Sequence, residues 1–155
     1  MPSPIGDLGV AADGGEITTV HFGGVGRQEI ANDPAPVLNA AREQLDAFFA
    51  GELTEFDLPL AAAPGSDFEH AVWKAIASID YAEMATYGEI AQMVGDKDAA
   101  RAVGVACNRN PLPIIVPCHR VVGAGGKLVG FGGGLDRKRY LLQLEARVRI
   151  ERDFQ

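Results

Sequence analysis

The stretch IIVPCHRVVGAGG, residues 114–126, places a cysteine, a histidine and an arginine in consecutive positions between two apolar runs. A short apolar run bounded by turn-forming residues predicts a buried strand. In a regular strand neighbouring side chains point to opposite faces, so Cys118 and Arg120 are predicted to share one face and His119 to take the other. A core strand does not need these three polar side chains, and their presence indicates a chemical role.

Three kinds of site fit this stretch poorly. A zinc site could use Cys107, Cys118 and His119, but neither cysteine has a partner at the short spacing that zinc sites favour. A cysteine hydrolase needs a histidine that faces the thiol, whereas His119 would face away from it. A phosphate-binding P-loop would need glycine in place of Val121 and serine or threonine in place of Leu128.

Attack of a thiolate on an electrophilic carbon is the remaining chemistry. A free cysteine has a pKa of about 8.5, so only a few per cent is ionised at neutral pH and a neighbouring base or positive charge is needed. His119 could be that base, acting through a bridging water, if the chain turns sharply after Pro117. The alternative is that Cys118 is simply a buried core residue.

Charge is distributed unevenly along the chain. The 155 residues carry a formal net charge of −7, yet residues 1–63 contain two basic and ten acidic side chains, whereas residues 97–152 contain eleven basic and four acidic ones. Such asymmetry indicates that the later part binds a polyanion such as DNA, and an exposed basic face without a partner is the alternative.

Composition narrows the class of protein. An apolar content of 47% suffices for one domain or two small ones, and two cysteines do not form a disulfide framework in a chain of this length. The sequence has neither a run of eighteen apolar residues nor a charged-then-apolar leader before its first predicted strand. We therefore expect a cytoplasmic protein that does not bind a membrane.

The first third of the chain predicts a small antiparallel sheet with one helix. Two β-type runs flank the turn sequence DGG, residues 13–15. An apolar stripe in residues 36–49 predicts a helix that ends near Gly51. EFDLPL, residues 55–60, is interpreted as a last strand or an extended exit, and AAAPGS, residues 61–66, as a domain boundary.

Helices dominate after this boundary. SDFEHAVWKAIASI opens with Ser66 and Glu69 at the spacing of a capping box, and TYGEIAQMVG repeats the device with Thr86 and Glu89. The next stretch, DAARAVGVACNRN, predicts another short helix. The last two helices together have the outline of a helix-turn-helix.

The end of the chain is interpreted as a loop followed by a closing helix. VVGAGGKLVGFGGG, residues 121–134, indicates a glycine-rich hairpin or loop, and LDRKRYLLQLEARV, residues 135–148, an amphipathic helix. Arg137, Lys138 and Arg139 near the helix start are interpreted as phosphate contacts or as an exposed helix start.

The residues around Cys118 resemble a known protein family. VPCHRVVG, preceded by ARAVGVACNRNPLPIIV and followed by GFGGGLDRKRYLLQLE, is similar to the O6-alkylguanine-DNA alkyltransferases, also called methylated-DNA–protein-cysteine methyltransferases. The resemblance is continuous from about Phe68 to Glu145. It implies an α+β fold with a small antiparallel sheet-plus-helix, ribonuclease H-like domain over residues 1–62. A mainly helical, winged-helix-like domain with a helix-turn-helix is implied over residues 63–155.

The resemblance implies the roles of five catalytic residues. Cys118 matches the nucleophile that permanently accepts the alkyl group, His119 the base that acts on the thiol through a water, and Glu145 the residue that orients this base. Asn110 matches an asparagine that shapes the site, and Tyr87 a tyrosine whose hydroxyl donates toward the guanine. The implied activity is stoichiometric, irreversible repair of O6-alkylguanine in DNA, with O4-alkylthymine as a further candidate substrate.

Double-stranded DNA is the implied partner, bound through the minor groove with the damaged nucleotide flipped into a pocket. Arg101 matches the arginine of the recognition helix, and small residues near it would allow close approach to the groove. The implied DNA-binding residues are Arg101, Ala99, Ala100, Ala102, Gly104, Asn108 and Arg109. The implied pocket residues are Arg120, Val121, Phe131 and Gly132.

The sequence departs from the family pattern in several places. Asn108 occupies the position of an arginine that fills the vacated base position in some relatives, and Arg109 follows it, so either residue could insert. Phe131 replaces a pocket tyrosine and lacks its hydroxyl. The structural zinc of some relatives needs cysteines before Cys107, and the chain has none, so we expect no metal and no cofactor. Cys107 itself is expected to be a small buried hydrophobic residue rather than a second acceptor.

Two functions follow from the resemblance. The first is suicidal DNA repair by a monomer with no obligate protein partner, and the second is a non-catalytic protein that binds alkylated DNA and flags it. Cys118, His119 and Glu145 are all present, which favours repair. A regulator that senses alkylation would need a further domain, for which 155 residues leave no room.

Overall fold

The computed structural model describes residues 1–23 and 36–154, and the chain divides into two compact units, Met1–Ala63 and Pro64–Gln155. The first unit contains β1 (Leu8–Asp13), β2 (Glu16–Phe22) and α1 (Pro36–Phe49). The second contains α2 (Asp67–Ala77), β3 (Ala85–Thr86), α3 (Tyr87–Met93), α4 (Ala100–Asn108), β4 (Val121–Val122) and α5 (Leu135–Asp153). Two 3-10 helices, Cys118–Arg120 and Ala124–Gly126, flank β4. Within the described ranges, every helix is too short or too polar to cross a bilayer.

The predicted hairpin is confirmed in the first unit. Asp13 pairs with Glu16 across a two-residue turn, in which Gly14 and Gly15 have φ values of 60° and 84°. Positive φ at both turn positions matches the right-handed twist of the flanking strands, and glycine adopts it without steric cost.

The predicted helix α1 is also confirmed, and its apolar stripe supplies much of the core of the first unit. Ala41, Leu45 and Phe48 are completely buried. The segment EFDLPL is an extended exit rather than a regular strand, because Leu60 makes only an isolated parallel bridge, to Ile17 of β2.

Both predicted capping boxes form in the second unit. Ser66 caps α2 and Thr86 caps α3, and in each case the glutamate three residues later accepts a hydrogen bond from the backbone of the capping residue. Because Thr86 is the N-cap, Tyr87 becomes the first residue of α3. The caps satisfy backbone N–H groups that the first helical turn would otherwise leave without partners.

The two helices predicted to form a helix-turn-helix are α3 and α4, joined by residues 94–99. Gly95 in this connection has a φ of 88°. Helix α4 buries Val103, Ala106 and Cys107, and the indole Nε1 of Trp73 in α2 donates to the carbonyl of Ala106 at 2.9 Å. One face of α4 is thereby fixed to the unit, and its other face is left toward solvent.

The regular strand predicted around Cys118 is wrong. Only Val121 and Val122 are in a strand, β4, which pairs in parallel with β3. Pro113 and Pro117 have no N–H to donate to a ladder, and Ile114 has a φ of 74°, a region that β-branched residues rarely adopt. The chain therefore turns before it reaches Cys118.

Helix α5 is longer than predicted and ends at Asp153. Its buried residues are Lys138, Leu141, Leu144, Glu145 and Val148. These positions repeat every three or four residues and form one stripe of the helix. A lysine and a glutamate in such a stripe must be compensated by polar partners, and these partners define the candidate site.

Candidate active site

Asn110 organises the turn that presents Cys118. Its Nδ2 donates to the carbonyl of Val116 at 2.9 Å, and its Oδ1 accepts from the backbone N–H of Leu112 at 2.9 Å. The N–H of Cys118 then donates to the same carbonyl of Val116 at 2.8 Å. A single amide side chain thus holds both ends of the loop.

Cys118 is the first residue of the 3-10 helix and is 5% exposed. Burial raises the pKa of its thiol, and the nearby Asn110 amide and Lys138 ammonium partly oppose this rise. A raised pKa favours the thiol over the thiolate. Attack by this sulfur requires a base that removes the proton.

His119 and Glu145 form a buried pair that can supply this base. Their side chains are 0% and 1% exposed, and His119 Nε2 lies 2.7 Å from Glu145 Oε2. A carboxylate only accepts hydrogen bonds, so Nε2 carries the proton. Burial lowers the pKa of His119, although Glu145 acts to raise it, and Nδ1 is buried without a hydrogen-bond partner among the described residues. The imidazole thus keeps an available lone pair on Nδ1.

Glu145 receives hydrogen bonds from three further donors. Arg120 donates from Nε to Oε1 at 2.8 Å and from Nη2 to Oε2 at 3.0 Å. The backbone N–H of Ala82 donates to Oε1 at 3.0 Å, from a residue whose φ is 63°. Burial acts to raise the pKa of Glu145, but the hydrogen bonds from His119 and Arg120, together with the charge of Arg120, outweigh it and lower the pKa to about 2.

Arg120 does not share a face with Cys118, contrary to the strand geometry expected from the sequence. It is 6% exposed, and besides its two bonds to Glu145 it donates from Nη1 to the carbonyl of Ile79 at 2.7 Å. Its guanidinium also lies 5.5 Å from the ring centroid of Tyr81. A 3-10 helix advances about 120° per residue, which separates residues 118 and 120 and brings Arg120 to the same carboxylate as His119.

Tyr87 places its hydroxyl on the glycine-rich loop. The oxygen lies 2.9 Å from the carbonyl of Val129 and 3.3 Å from that of Gly130. Burial and, secondarily, the two cysteines Cys107 and Cys118 raise the pKa of Tyr87 to about 12. The hydroxyl is therefore a proton donor at any physiological pH.

Lys138 is a site residue that the sequence did not reveal. Its side chain is fully buried rather than exposed, so the expectation of a phosphate contact or an exposed helix start is wrong for this residue. Its Nζ donates to the carbonyls of Val121 at 2.6 Å, Val129 at 3.2 Å and Gly130 at 3.3 Å. The signal was available, because residue 138 lies three and seven residues before Leu141 and Glu145, on the buried stripe of α5.

The remaining predicted pocket residues lie near this lysine and the end of α4. Val121 is fully buried, and the ring of Phe131 lies 6.0 Å from Lys138 Nζ. A Cβ added to the exposed Gly132 would be 3.8 Å from the carbonyl oxygen of Asn108. The glycine-rich loop thus contacts the last turn of α4. Cys107 is 8% exposed, and burial raises its pKa to about 12.

The residues predicted at DNA follow one side of α4. Arg101, Ala102, Asn108 and Arg109 are exposed, whereas Ala99, Ala100 and Gly104 are partly buried. Val105, which the sequence did not single out, is 53% exposed on the same side, four residues after Arg101. Arg109 lies 3.4 Å from Glu69. Within the part of the chain that the structure describes, this side of α4 therefore exposes Arg101 together with several small side chains.

The side chain of Glu145 also lines a cavity. The cavity measures about 380 Å³ and does not include Cys118; its lining residues are Ala82, Met84, Leu128, Arg139, Leu142, Gln143, Glu145 and Ala146.

Within residues 1–23 and 36–154, no group of three or more histidine, cysteine, aspartate or glutamate side chains lies close enough together to hold a metal ion.

Comparison with known proteins covers both units. Residues 1–62 match the model of the 6-O-methylguanine DNA methyltransferase ribonuclease-like domain, and residues 67–147 match that of the 6-O-methylguanine DNA methyltransferase DNA binding domain. The methylated-DNA–protein-cysteine methyltransferase of Mycobacterium tuberculosis is 50% identical over 149 residues, which are 94% of this chain and 89% of the relative. That of Methanosarcina acetivorans is 49% identical over 148 residues, covering 92% and 94% of the two chains. The crystal structure of Mycobacterium tuberculosis OGT in complex with DNA superposes with a TM-score of 0.87 at 50% identity and covers 96% of this chain and 91% of that one.

Proposed function

The chain belongs to the 6-O-methylguanine DNA methyltransferase family, and we propose that Cys118 is the residue through which it performs the reaction of this family. It repairs DNA by transferring an alkyl group from the O6 atom of guanine to a cysteine of its own chain. Cys118 is the better candidate of the two cysteines, because it adjoins the His119–Glu145 pair. Cys107 instead lies on the packed face of α4, next to its last residue.

The proposed reaction is a single displacement at carbon. His119 Nδ1 removes the thiol proton through a bridging water, and the sulfur attacks the alkyl carbon. The S–C bond forms as the C–O6 bond breaks, and the electron pair of the C–O6 bond leaves with the guanine. Tyr87 donates a hydrogen bond to the departing guanine, and the proton released by the thiol finally neutralises the guanine anion, so that Tyr87 keeps its own proton. The product thioether has no leaving group that the site could expel, so each molecule acts once.

DNA binding is proposed to use the exposed side of α4. Arg101 supplies a cation, and the small side chains of Ala99, Ala100 and Ala102 let the helix approach the minor groove. The excess of basic residues from Lys97 to Arg152 supports affinity through phosphate contacts. Flipping of the damaged nucleotide follows from the burial of Cys118, because a thiol inside the protein cannot reach a stacked base. We also propose that the protein acts as a monomer without an obligate protein partner.

The observation that carries this assignment is the hydrogen bond of 2.7 Å between His119 and Glu145, which leaves Nδ1 as a base beside the turn that holds Cys118. The test is the intact mass of the protein after mixing with a duplex that contains one O6-methylguanine, followed by peptide mapping. We expect a gain of one methylene, confined to Cys118 and saturating at one per chain.

Two variants test which of the two cysteines accepts the alkyl group. Cys118→Ala should abolish the mass gain and still bind the lesion duplex, whereas Cys107→Ala should gain the methylene as the unmodified protein does. A methylene on Cys107, or transfer by Cys118→Ala, would refute the assignment. Selective binding without any mass gain would instead indicate a protein that flags alkylated DNA.

A further inference from the structure

The cavity beside Glu145 lies along one side of α5. Four of its lining residues repeat every three or four positions of this helix, namely Arg139, Leu142, Gln143 and Ala146. The segment before β3 and the glycine-rich loop supply other parts of its wall. Its volume of about 380 Å³ falls within the range of about 300–1,000 Å³ that is usual for small-molecule pockets. A stable protein–protein interface needs a larger surface, so the cavity has the size for a single small molecule.

Most of the side chains that line the cavity are apolar. Leu128 and Leu142 are half-buried, whereas Met84 and Ala146 are exposed, so the cavity opens to solvent and presents apolar surface to it. Removal of such surface from water favours the binding of an apolar group. A ligand of this cavity therefore needs an apolar body.

The charges at the cavity favour an anion. Among the described residues that line it, Arg139 and Glu145 are the charged ones. The carboxylate of Glu145 already accepts hydrogen bonds from His119 and Arg120. Arg139 pairs with Asp136 at 3.2 Å, but the two side chains are 51% and 101% exposed, and water weakens such a pair. The guanidinium of Arg139 is thus the charge that a ligand can use.

The cavity adjoins both partners of the hydrogen bond that Tyr87 makes. Met84 directly precedes β3, which ends at Thr86, the N-cap residue that makes Tyr87 the first residue of α3. Leu128 directly precedes Val129, whose carbonyl accepts a hydrogen bond from the Tyr87 hydroxyl at 2.9 Å. A molecule that contacts both Met84 and Leu128 therefore restrains this hydroxyl on the glycine-rich loop.

We propose that this cavity binds a small organic anion with an apolar body, and that its occupancy slows alkyl transfer. The body contacts Met84, Leu128 and Leu142, and the anionic group accepts hydrogen bonds from Arg139. Tyr87 must release the loop carbonyls before it donates to a guanine, so a bound molecule that restrains the loop slows the reaction. The binding is independent of the proposed function, whereas the slowing rests on it.

Binding can be measured with two fluorescent dyes that share one apolar body. Anilinonaphthalene sulfonate carries an anionic group, and phenylnaphthylamine is the same molecule without it. The fluorescence of both dyes rises in an apolar site. We expect saturable binding of the sulfonate dye, with one molecule per chain. Absence of saturable binding would overturn the proposal.

An arginine pair tests the anion-binding group. Arg139→Gln should weaken binding of the sulfonate dye about tenfold, the equivalent of one hydrogen bond to a charged group, and should leave the neutral dye unaffected. Arg147→Gln removes the same charge from an exposed arginine of α5 that does not line the cavity, and it should alter neither affinity. Equal weakening in the two variants would refute the role of Arg139.

An alanine pair tests the position of the site. Ala146→Phe should fill the cavity and abolish binding of both dyes, and the exposure of Ala146 allows a larger side chain there without repacking of the core. Ala71→Phe, at an exposed position of α2, is the matched control and should bind both dyes as the unmodified protein does. Unchanged affinities in Ala146→Phe would show that the dyes bind elsewhere and would overturn the site.

The effect on alkyl transfer is measured in single-turnover reactions with an O6-methylguanine duplex, with and without saturating sulfonate dye. The dye should slow the unmodified protein about fivefold, at the lower end of typical coupling between two sites. It should not change the rate of Ala146→Phe relative to the same variant without dye. An unchanged rate of the unmodified protein, or equal slowing of both proteins, would refute the coupling.

The dye titrations also separate this proposal from the assignment of the acceptor. Cys118→Ala should bind the sulfonate dye as tightly as the unmodified protein does, because Cys118 does not line the cavity. Failure of alkyl transfer by the unmodified protein without dye would refute the proposed function and with it the slowing, whereas the titrations would still decide the binding site. Loss of dye binding in Cys118→Ala would contradict a site apart from the acceptor.

Discussion

The hydroxyl of Tyr87 binds the glycine-rich loop and is also the donor that we propose for the reaction. It lies within hydrogen-bonding distance of two carbonyls of the glycine-rich loop, at Val129 and Gly130. A pKa of about 12 keeps it protonated, so it can donate a hydrogen bond at neutral pH. Lys138 holds the same two carbonyls independently, so the loop does not depend on the tyrosine alone.

Replacement of the tyrosine should therefore affect transfer more than binding. Tyr87→Phe is expected to slow alkyl transfer on the order of 10²-fold, the usual effect of losing one donor to developing negative charge. Lesion affinity should fall by no more than about tenfold, the equivalent of one neutral hydrogen bond. Single-turnover rates and equilibrium titrations measure the two effects. Tyr140→Phe in α5 is the matched control, and an equal loss of rate in both variants would contradict the donor role.

At the scale of residues, the sequence alone did not predict the position of every residue in the candidate site. Cys118, His119 and Glu145 could be assigned by resemblance, because their identities and spacing are distinctive. The position of Arg120 could not, since it depends on whether the chain at residues 118–120 is a strand or a 3-10 helix. Lys138 was missed because an isolated lysine is normally exposed, and only its partners in three dimensions explain its burial.

At the scale of secondary-structure elements, the sequence was sufficient to predict features whose hydrogen bonds join residues close together in the chain. The DGG hairpin and both capping boxes were predicted and are confirmed, because each is completed within a few residues of sequence. The strand around Cys118 was wrong because the hydrogen bonds of Asn110, six residues from Val116, replace a ladder with a loop. An apolar run alone does not distinguish these outcomes.

The two capping boxes provide a matched pair of variants. Thr86→Ala and Ser66→Ala should each lower the free energy of unfolding by about 1 kcal/mol, because each removes one N-cap hydrogen bond. Only Thr86→Ala should also slow alkyl transfer, since the next residue, Tyr87, is the first residue of α3. Urea unfolding and single-turnover rates measure the two effects. A slower rate in Ser66→Ala, or an unchanged rate in Thr86→Ala, would show that the start of α3 does not position the hydroxyl.

At the scale of the whole molecule, charge is distributed unevenly along the chain. Residues 1–63 carry eight more acidic than basic side chains, and residues 97–152 carry seven more basic than acidic ones. This division was readable from the sequence, but the exposed side of α4 was not, because its orientation depends on contacts such as that of Trp73 with Ala106.

The position of a basic residue, rather than the net charge of the protein, should therefore decide the affinity for DNA. Arg101→Ala is expected to weaken binding to any duplex and to reduce the slope of log affinity against log salt by about 0.9, the value for one lost phosphate contact. Arg42→Ala in α1 changes the net charge equally and should leave the slope unchanged. Fluorescence titrations at several salt concentrations measure both slopes. Equal effects of the two variants would contradict a specific role of α4.

Glu145 has a consequence for the time at which a newly made molecule can act. Its donors Ala82, His119 and Arg120 lie 63, 26 and 25 residues earlier in the chain. Until α5 has left the ribosome and docked, His119 and Arg120 therefore lack their shared carboxylate. The interval between synthesis of residue 118 and docking of α5 is thus a period in which the proposed base is not yet oriented. Rapid folding of the second unit shortens the time before a new molecule can carry out the proposed transfer.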